Sequence, residues 1–286
     1  MTTDDYRFMA RAIELADRGR YTTQPNPRVG CVLVKEGRVV GEGYHQRAGQ
    51  PHAERMAIAD AGEQARGATA YVTLEPCCHY GKTPPCTEGL LEAGVSRVIA
   101  AMEDPNPLVA GKGLKQLEEA GVAVASGLME ADAKALNPGF VSRMIRGRPY
   151  VRCKLAMSLD GRTAMANGES QWITGPDARR DVQRLRARSD AIMTGIGTVV
   201  ADNPSMNVRL TAEELGVTSG QPVTQPLRVV LDPTLDMSPV SEMLQLAGET
   251  LILCSPNAVG KKDLLSQAGA QIIQVEGDAQ QLDLLQ

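Results

Sequence analysis

No apolar stretch in this 286-residue chain is long enough to span a membrane. Nor is there an excess of positive charge: 30 Lys and Arg face 34 Asp and Glu, for a net charge of −4. That argues against a nucleic acid held on a broad basic surface. It leaves room for a small phosphorylated molecule held by a few local cations. The opening residues, MTTDDYRFMARAIELADRGR, lack the character of a signal peptide, since they carry acids and an amphipathic repeat. Internal repeats and low-complexity segments are also missing. A disulfide framework is absent too. Of the six cysteines, Cys77, Cys78 and Cys86 cluster, while Cys31, Cys153 and Cys254 each sit in an apolar run that reads as strand. This fits reduced thiols plus one metal site, and a cytoplasmic setting. With 43% hydrophobic and 22% charged residues the chain can bury real cores. Its length suits about two domains.

The periodicity predicts an α/β protein. Residues 4–18 read as a helix stopped by Gly19, and Cys31–Val34 and Arg38–Val40 as strands joined through a Glu36-Gly37 turn. A helix from His52 to Gly62, a strand over 68–74, a helix from Pro85 to Gly94 and a strand over 95–102 follow. Then come a helix over 112–120, a short strand over 122–125 and a helix over 130–146, which Gly147-Arg148-Pro149 breaks. The boundary falls there, giving domains 1–147 and 148–286, the first a mixed sheet flanked by helices. The second reads as α/β as well. Strands are expected over 150–155, 190–194, 227–231, 250–254 and 271–275, with helices over 176–188 and 262–268. Residues 214–225 read as loop, and 282–286 as the opening of an amphipathic helix.

Chemistry concentrates between residues 52 and 86: His52-Ala-Glu54, then Glu75-Pro-Cys77-Cys-His-Tyr-Gly-Lys-Thr-Pro-Pro-Cys86. One imidazole and two thiolates would leave a tetrahedral zinc one open position, the mark of a catalytic site. Water held there becomes acidic at about pH 7, and Glu54 is placed to move protons. H-x-E followed by P-C-x-x-C is the pattern of zinc deaminases that act on a base. Here the second Cys comes nine residues after the first. His52 and Cys86 both fall at helix starts, where the dipole favours thiolate. A structural zinc closed by Cys78 or His79 is an alternative reading, as is a metal-free cluster. The site alone leaves the base open among cytosine, adenine, guanine and a modified pyrimidine.

Longer stretches carry a resemblance. Gln24-Pro-Asn-Pro-Arg-Val-Gly30, the His52-to-Cys86 motifs and Glu103-Asp-Pro-Asn-Pro-Leu-Val-Ala-Gly111 closely resemble the bifunctional deaminase/reductase family of riboflavin biosynthesis. In the second half, Lys154-Leu-Ala-Met-Ser-Leu-Asp-Gly161, Gly168-Glu-Ser-Gln-Trp-Ile-Thr174 and Gly195-Ile-Gly-Thr-Val-Val-Ala-Asp-Asn-Pro204 resemble its dihydrofolate-reductase-like domain. The resemblance implies a cytidine-deaminase-like mixed sheet followed by that reductase domain. It implies deamination of a phosphoribosylated diamino-hydroxypyrimidine, then NADPH-dependent reduction of ribosyl to ribityl. Zn2+ falls to His52, Cys77 and Cys86, with Glu54 as proton carrier and Asn26, His45 and Lys82 in the pyrimidine pocket. Lys154, Ala156, Trp172, Thr198 and Asp202 match NADP contacts, and Ser170, Arg186, Met206 and Arg209 match substrate contacts.

Read without the family, these reductase residues say little. Gly195-Ile-Gly197 lacks the third glycine of a dinucleotide fingerprint, and the arginines between 179 and 188 read as a solvated face. Two departures stand out. Asp232-Pro233 replaces a small polar residue that the family often has near the cofactor. The family's reductase domain also continues beyond the point matching Gln286, so the expectation is a C-terminally truncated domain with weak or no reductase activity. The alternative is another zinc nucleoside or base deaminase whose reductase half is inactive. A zinc-stabilised scaffold is a third reading. A homo-oligomer, dimer or tetramer, is expected, with no nucleic-acid or membrane partner.

Overall fold

The computed structural model describes residues 1–81, 83–217 and 222–284. It divides into two units, Met1–Lys154 and Leu155–Gln286.

The first unit contains α1 (Thr3–Asp17), β1 (Gly30–Lys35), β2 (Arg38–Tyr44), α2 (Ala53–Ala61), β3 (Thr69–Val72), α3 (Cys86–Glu92) and β4 (Arg97–Ala100). α4 (Lys112–Glu119), β5 (Ala123–Ser126), α5 (Glu130–Leu136) and α6 (Pro138–Arg146) complete it. The strands form one mixed sheet in the order β2-β1-β3-β4-β5. β1 pairs antiparallel with β2 and β3, and β3, β4 and β5 run parallel. Glu36 and Gly37, at φ 51° and 73°, make the tight turn between β1 and β2. Alternation along β1 feeds both faces of the sheet. Cys31 and Leu33 pack with Ala53, Ala57, Leu90 and Leu117 from α2, α3 and α4. Val32 and Val34 pack with Phe8, Met9, Ala12 and Leu15 of α1.

α2 rests close on β2 because small residues face each other. A Cβ on Gly43 would stand 2.4 Å from the Ala53 carbonyl oxygen, and one on Gly41 would stand 2.3 Å from that of Ala57. Ala53, Ala57 and Ala61 recur every fourth residue along the buried helix face. This close approach sets where the first turn of α2 lies, and with it His52 and Glu54.

The helix expected over 130–146 is two helices. Pro138 lacks an N–H and starts α6, and Asn137 between them leaves helical geometry at φ −124° and ψ 50°. The Asn137 side chain accepts from Arg28 N at 2.8 Å and donates to Arg28 O at 2.9 Å, tying the break to the segment before β1. A strand was expected over 150–155, but none forms. Among the described residues no partner strand pairs with it, and Val151 and Leu155 stay exposed. Cys153 is therefore exposed rather than in a strand, unlike Cys31 in β1 and Cys254 in the second sheet.

The second unit carries α7 (Pro176–Ala187), β6 (Ala191–Gly195), α8 (Ile196–Asp202), β7 (Leu227–Leu231), α9 (Glu242–Gln245), β8 (Thr250–Cys254), α10 (Lys262–Gln267) and β9 (Ala270–Gln274). β6-β7-β8-β9 is an all-parallel sheet in sequential order. Val230, Met237, Met243, Ile252 and Leu265 form its core. Asp232 is fully buried, and its carboxylate accepts from Asp236 N and Met237 N, both at 2.9 Å. α8 and the single turn of α9 carry no clear periodicity in the sequence. At the C-terminus Leu282 bridges Gly277 instead of opening the expected helix, while residues 285 and 286 lie outside the described ones.

Gly43→Ala should lower the stability of the first unit by about 1–3 kcal/mol, because a helix backbone has to shift to admit the methyl group. Urea unfolding reads this directly, and an unchanged midpoint would show that α2 does not rest on Gly43.

Candidate active site

His52 is the residue immediately before α2, and Cys86 is the first residue of α3. Cys77 lies in the loop after β3. Together they place one nitrogen and two sulfurs within 4.8 Å of one another. His52 Nδ1 stands 3.5 Å from Cys77 Sγ and 3.3 Å from Cys86 Sγ. For tetrahedral zinc, with Zn–N about 2.0–2.1 Å and Zn–S about 2.3 Å, nitrogen and sulfur ligands stand about 3.6 Å apart. The donor set and its spacing therefore fit that ion. Among the described residues Cys78 and His79 are not part of the cluster, so three protein ligands are gathered rather than four.

Two contacts hold the cluster from outside. Thr83 Oγ1 lies 3.4 Å from His52 Nε2, on the side of the ring away from the sulfurs. Arg55 reaches from α2 to donate from Nη2 to the Pro85 carbonyl at 2.9 Å and pairs with Glu92 of α3 at 3.3 Å. Its guanidinium lies over Gly89, where a Cβ would come within 2.5 Å. This locks the start of α3 against the start of α2.

The electrostatics show what the cluster lacks. Hydrogen bonds from Cys86 and His52 pull the Cys77 thiol down to about 4 despite its burial. Sharing with Cys77, together with burial, pushes the Cys86 thiol up. His52 is held above the ordinary imidazole range by its hydrogen bond to Cys77. Glu54 is 3% exposed, and burial pushes its carboxyl up to about 7, with the Cys77 charge adding to the effect. One thiolate, a second thiol raised by it and a buried acid share this corner. A divalent cation would relieve that crowding and draw both sulfurs to thiolate. A carboxyl poised near 7 can both take up and give back a proton at neutral pH.

Asn26 and His45, expected in the pyrimidine pocket, stand beside this cluster. The His45 ring packs edge-on against that of His52, with centroids 5.3 Å apart. His45 is buried, which pushes its pKa down and keeps the ring neutral. Its Nδ1 lies 3.2 Å from the Pro51 carbonyl oxygen, which only accepts, so Nδ1 carries the proton. Nε2 is then an acceptor, and the Asn26 amide donates to it at 3.1 Å. That bond uses one of the two Asn26 amide N–H groups and fixes the orientation of the amide. Lys82 lies outside the described residues.

Two acids that the motifs did not single out belong to the same neighbourhood. Glu75, 3% exposed, accepts from Asp104 N and Gly111 N through one oxygen, at 3.0 and 2.9 Å. Its other oxygen accepts from Gly113 N and Leu114 N at 2.8 and 3.2 Å. It thereby pins the loop after β4 and the first turn of α4 to the cysteine loop. Asp104 sits within that loop, and burial pushes its carboxyl up to about 6, with the charges of Glu75 and Cys77 adding to the shift. The signal available in sequence was the acidic pair Glu103-Asp104 just after a strand.

In the second unit Trp172 and Arg209 line one cleft of about 390 Å³, together with Arg179, Arg180 and Gln183. Arg186 is half-buried and donates to the Asn207 carbonyl at 2.9 Å, and Arg209 donates to Ser205 Oγ at 2.8 Å. Among the described residues neither meets a carboxylate, and each repels the other, which together with burial lowers the Arg186 pKa. Thr198 and Asp202 are exposed on α8, and Ser170 is half-buried before Trp172. Lys154, the last residue of the first unit, lies within the 150–155 stretch expected as a strand and Ala156 just beyond it, both in irregular structure. The Met206 side chain is packed into the second core, so a ligand contact at that position would have to come from its backbone.

Comparison with known proteins places both units. The family model described as the cytidine and deoxycytidylate deaminase zinc-binding region matches residues 2–102, and that described as the RibD C-terminal domain matches residues 149–280. The class is thus an α/β enzyme with a zinc-binding deaminase domain followed by a reductase-type domain. The chain is 58% identical over 250 residues to the riboflavin biosynthesis protein RibD of Escherichia coli (strain K12), spanning 86% of this chain and 68% of that protein. The structure of Acinetobacter baumannii RibD (form 1) matches with a TM-score of 0.86 and 48% identity, over 98% of this chain and 76% of that one. The diaminohydroxyphosphoribosylaminopyrimidine deaminase/5-amino-6-(5-phosphoribosylamino)uracil reductase of Thermotoga maritima matches at 0.79 and 35%, over 95% and 80%. The chain belongs to the RibD family of riboflavin biosynthesis enzymes and contains both the deaminase and the reductase domain.

Because Glu75 accepts four backbone bonds, Glu75→Gln should leave N–H groups of one oxygen without an acceptor. The expected result is a loss of about 2–4 kcal/mol and faster amide hydrogen exchange at 104 and 111–114. Protection factors equal to those of the parent would contradict the role assigned to this carboxylate.

Proposed function

We propose that the first domain is a zinc-dependent hydrolytic deaminase acting on the phosphoribosylated 2,5-diamino-6-hydroxypyrimidine, and that the second reduces the deaminated product with NADPH. The observation that carries the reading is one imidazole and two sulfurs at zinc spacing with a buried carboxyl beside them. In this reading His52 Nδ1 and the sulfurs of Cys77 and Cys86 hold the ion. Zinc, when bound, supplies Lewis acidity that brings the pKa of a water down to about 7. Glu54 takes the proton of the attacking water, passes it to the ring nitrogen and then assists departure of ammonia. Asn26, with its amide fixed by His45, and His45 itself orient the pyrimidine. Lys82 belongs to the same pocket in this assignment.

In the second domain NADPH, when bound, supplies hydride for conversion of the ribosyl to the ribityl group. We assign its contacts to Lys154, Ala156, Trp172, Thr198 and Asp202. Ser170, Arg186, Arg209 and the backbone of Met206 are assigned to the substrate. The support is electrostatic: two neighbouring guanidiniums that meet no carboxylate among the described residues call for an anion, and the substrate carries a phosphate. Among the described residues no helix is long and apolar enough to cross a membrane. The reading takes the enzyme to be cytoplasmic, consistent with six cysteines that form no disulfide, and to be a homo-oligomer, dimer or tetramer.

Glu54→Gln is expected to retain one zinc per chain while ammonia release from the diamino-pyrimidine falls about 10²–10⁴-fold. Cys86→Ser should lose both the ion and the activity. Turnover by Glu54→Gln at the parent rate would falsify the assignment.

A further inference from the structure

We propose that Arg179 is a positioning residue for the nicotinamide-cofactor site: it holds the Trp172 ring in place before any ligand arrives. The proposal rests on the assignment of Trp172 to the cofactor and adds a residue to it. Trp172 is the only tryptophan of the chain and is 69% exposed, so burial contributes little to fixing its ring. What touches the ring is a cation. The Arg179 guanidinium carbon lies 4.4 Å from the ring centroid, well inside the range for a cation–π contact.

That guanidinium is itself fixed, because its Nη1 donates to the Thr174 carbonyl at 2.6 Å. Arg179 stands in the first turn of α7, which Gly175 and Pro176 open. One side chain thus ties both Trp172 and Thr174 back onto the helix they lead into. The neighbouring Arg180 does something else, pairing with Glu214 at 2.7 Å. Arg179 has no carboxylate partner among the described residues, so its charge is not drawn away from the ring. One ring face is covered by the guanidinium. A flat ligand ring stacked on Trp172 would take the opposite face, and Trp172 and Arg179 line the same cleft as Arg209.

The consequence is preorganisation. A ring already held need not be ordered when the cofactor binds, so Arg179 acts on cofactor affinity more than on the chemical step. Lysine is a poor substitute, since an ammonium cannot stack flat on the indole while also bonding the Thr174 carbonyl.

Because Trp172 is the sole tryptophan, its emission reads the device without any assay of turnover. In the full chain, Arg179→Ala should raise acrylamide quenching of Trp172 about twofold and lower its emission anisotropy. The dissociation constant for NADPH, followed by the same emission, should rise about three- to tenfold. Arg179→Lys should fall between Arg179→Ala and the parent in all three measurements. Quenching and anisotropy unchanged in both variants would overturn the proposal, as would a loosened ring with unchanged NADPH affinity. The underlying assignment fails in a different way: NADPH would then leave the parent emission unaltered, whatever the variants do to quenching.

Discussion

The imidazole of His52 lies between two sulfurs because the starts of α2 and α3 meet at one corner of the first sheet, and atoms outside the cluster set that meeting. Gly41 and Gly43 let the backbone of α2 come down onto β2, so its first turn has one height above the sheet. Arg55, the residue after Glu54, reaches across to the Pro85 carbonyl and fixes α3 at the residue before Cys86. Cys77 arrives from the end of β3, where Glu75 anchors the chain two residues earlier. Three segments distant in sequence are thereby brought within bonding range of one ion.

The same packing sets the electrostatics of the site. Glu54 is buried next to Cys77, and removing its carboxyl from water holds the proton near neutrality. Hydrogen bonds from Cys86 and His52 draw the Cys77 thiol down, while sharing with Cys77 and burial push that of Cys86 up. Burial also keeps His45 neutral with its proton on Nδ1, and that choice of tautomer dictates how the Asn26 amide is turned. The gathered nitrogen and sulfurs, a buried carboxyl raised in pKa and an oriented amide follow from one dense, small-residue interface.

Much of this was legible in the sequence for a physical reason. His52-x-Glu54 and the two cysteines are local signals of ligand chemistry, a helix start near His52 was expected, and the start beside Cys86 followed from Pro85. β7 and β8 were also readable, as apolar runs bounded by turn residues. The role of Glu75 was not legible, because a carboxylate that binds four distant amides looks in sequence like any other acid. Pro138 sits inside an amphipathic pattern, whose helical periodicity continues across the breaker in sequence. The stretch from Tyr150 to Leu155 alternates like a strand, but strand character is realised only when a neighbour offers its backbone, and among the described residues none does. Arg179 read as part of a solvated basic face, because its ring partner lies before the helix, where helical periodicity does not reach.

The account stands on a cation held by one nitrogen and two sulfurs with a fourth position left for water. Zinc K-edge X-ray absorption on the purified chain addresses that shell directly. It should find one zinc per chain with two sulfurs at about 2.3 Å and two lighter atoms at about 2.0–2.1 Å, one from His52 and one from solvent. A third sulfur in the shell, or protein free of zinc, would contradict it.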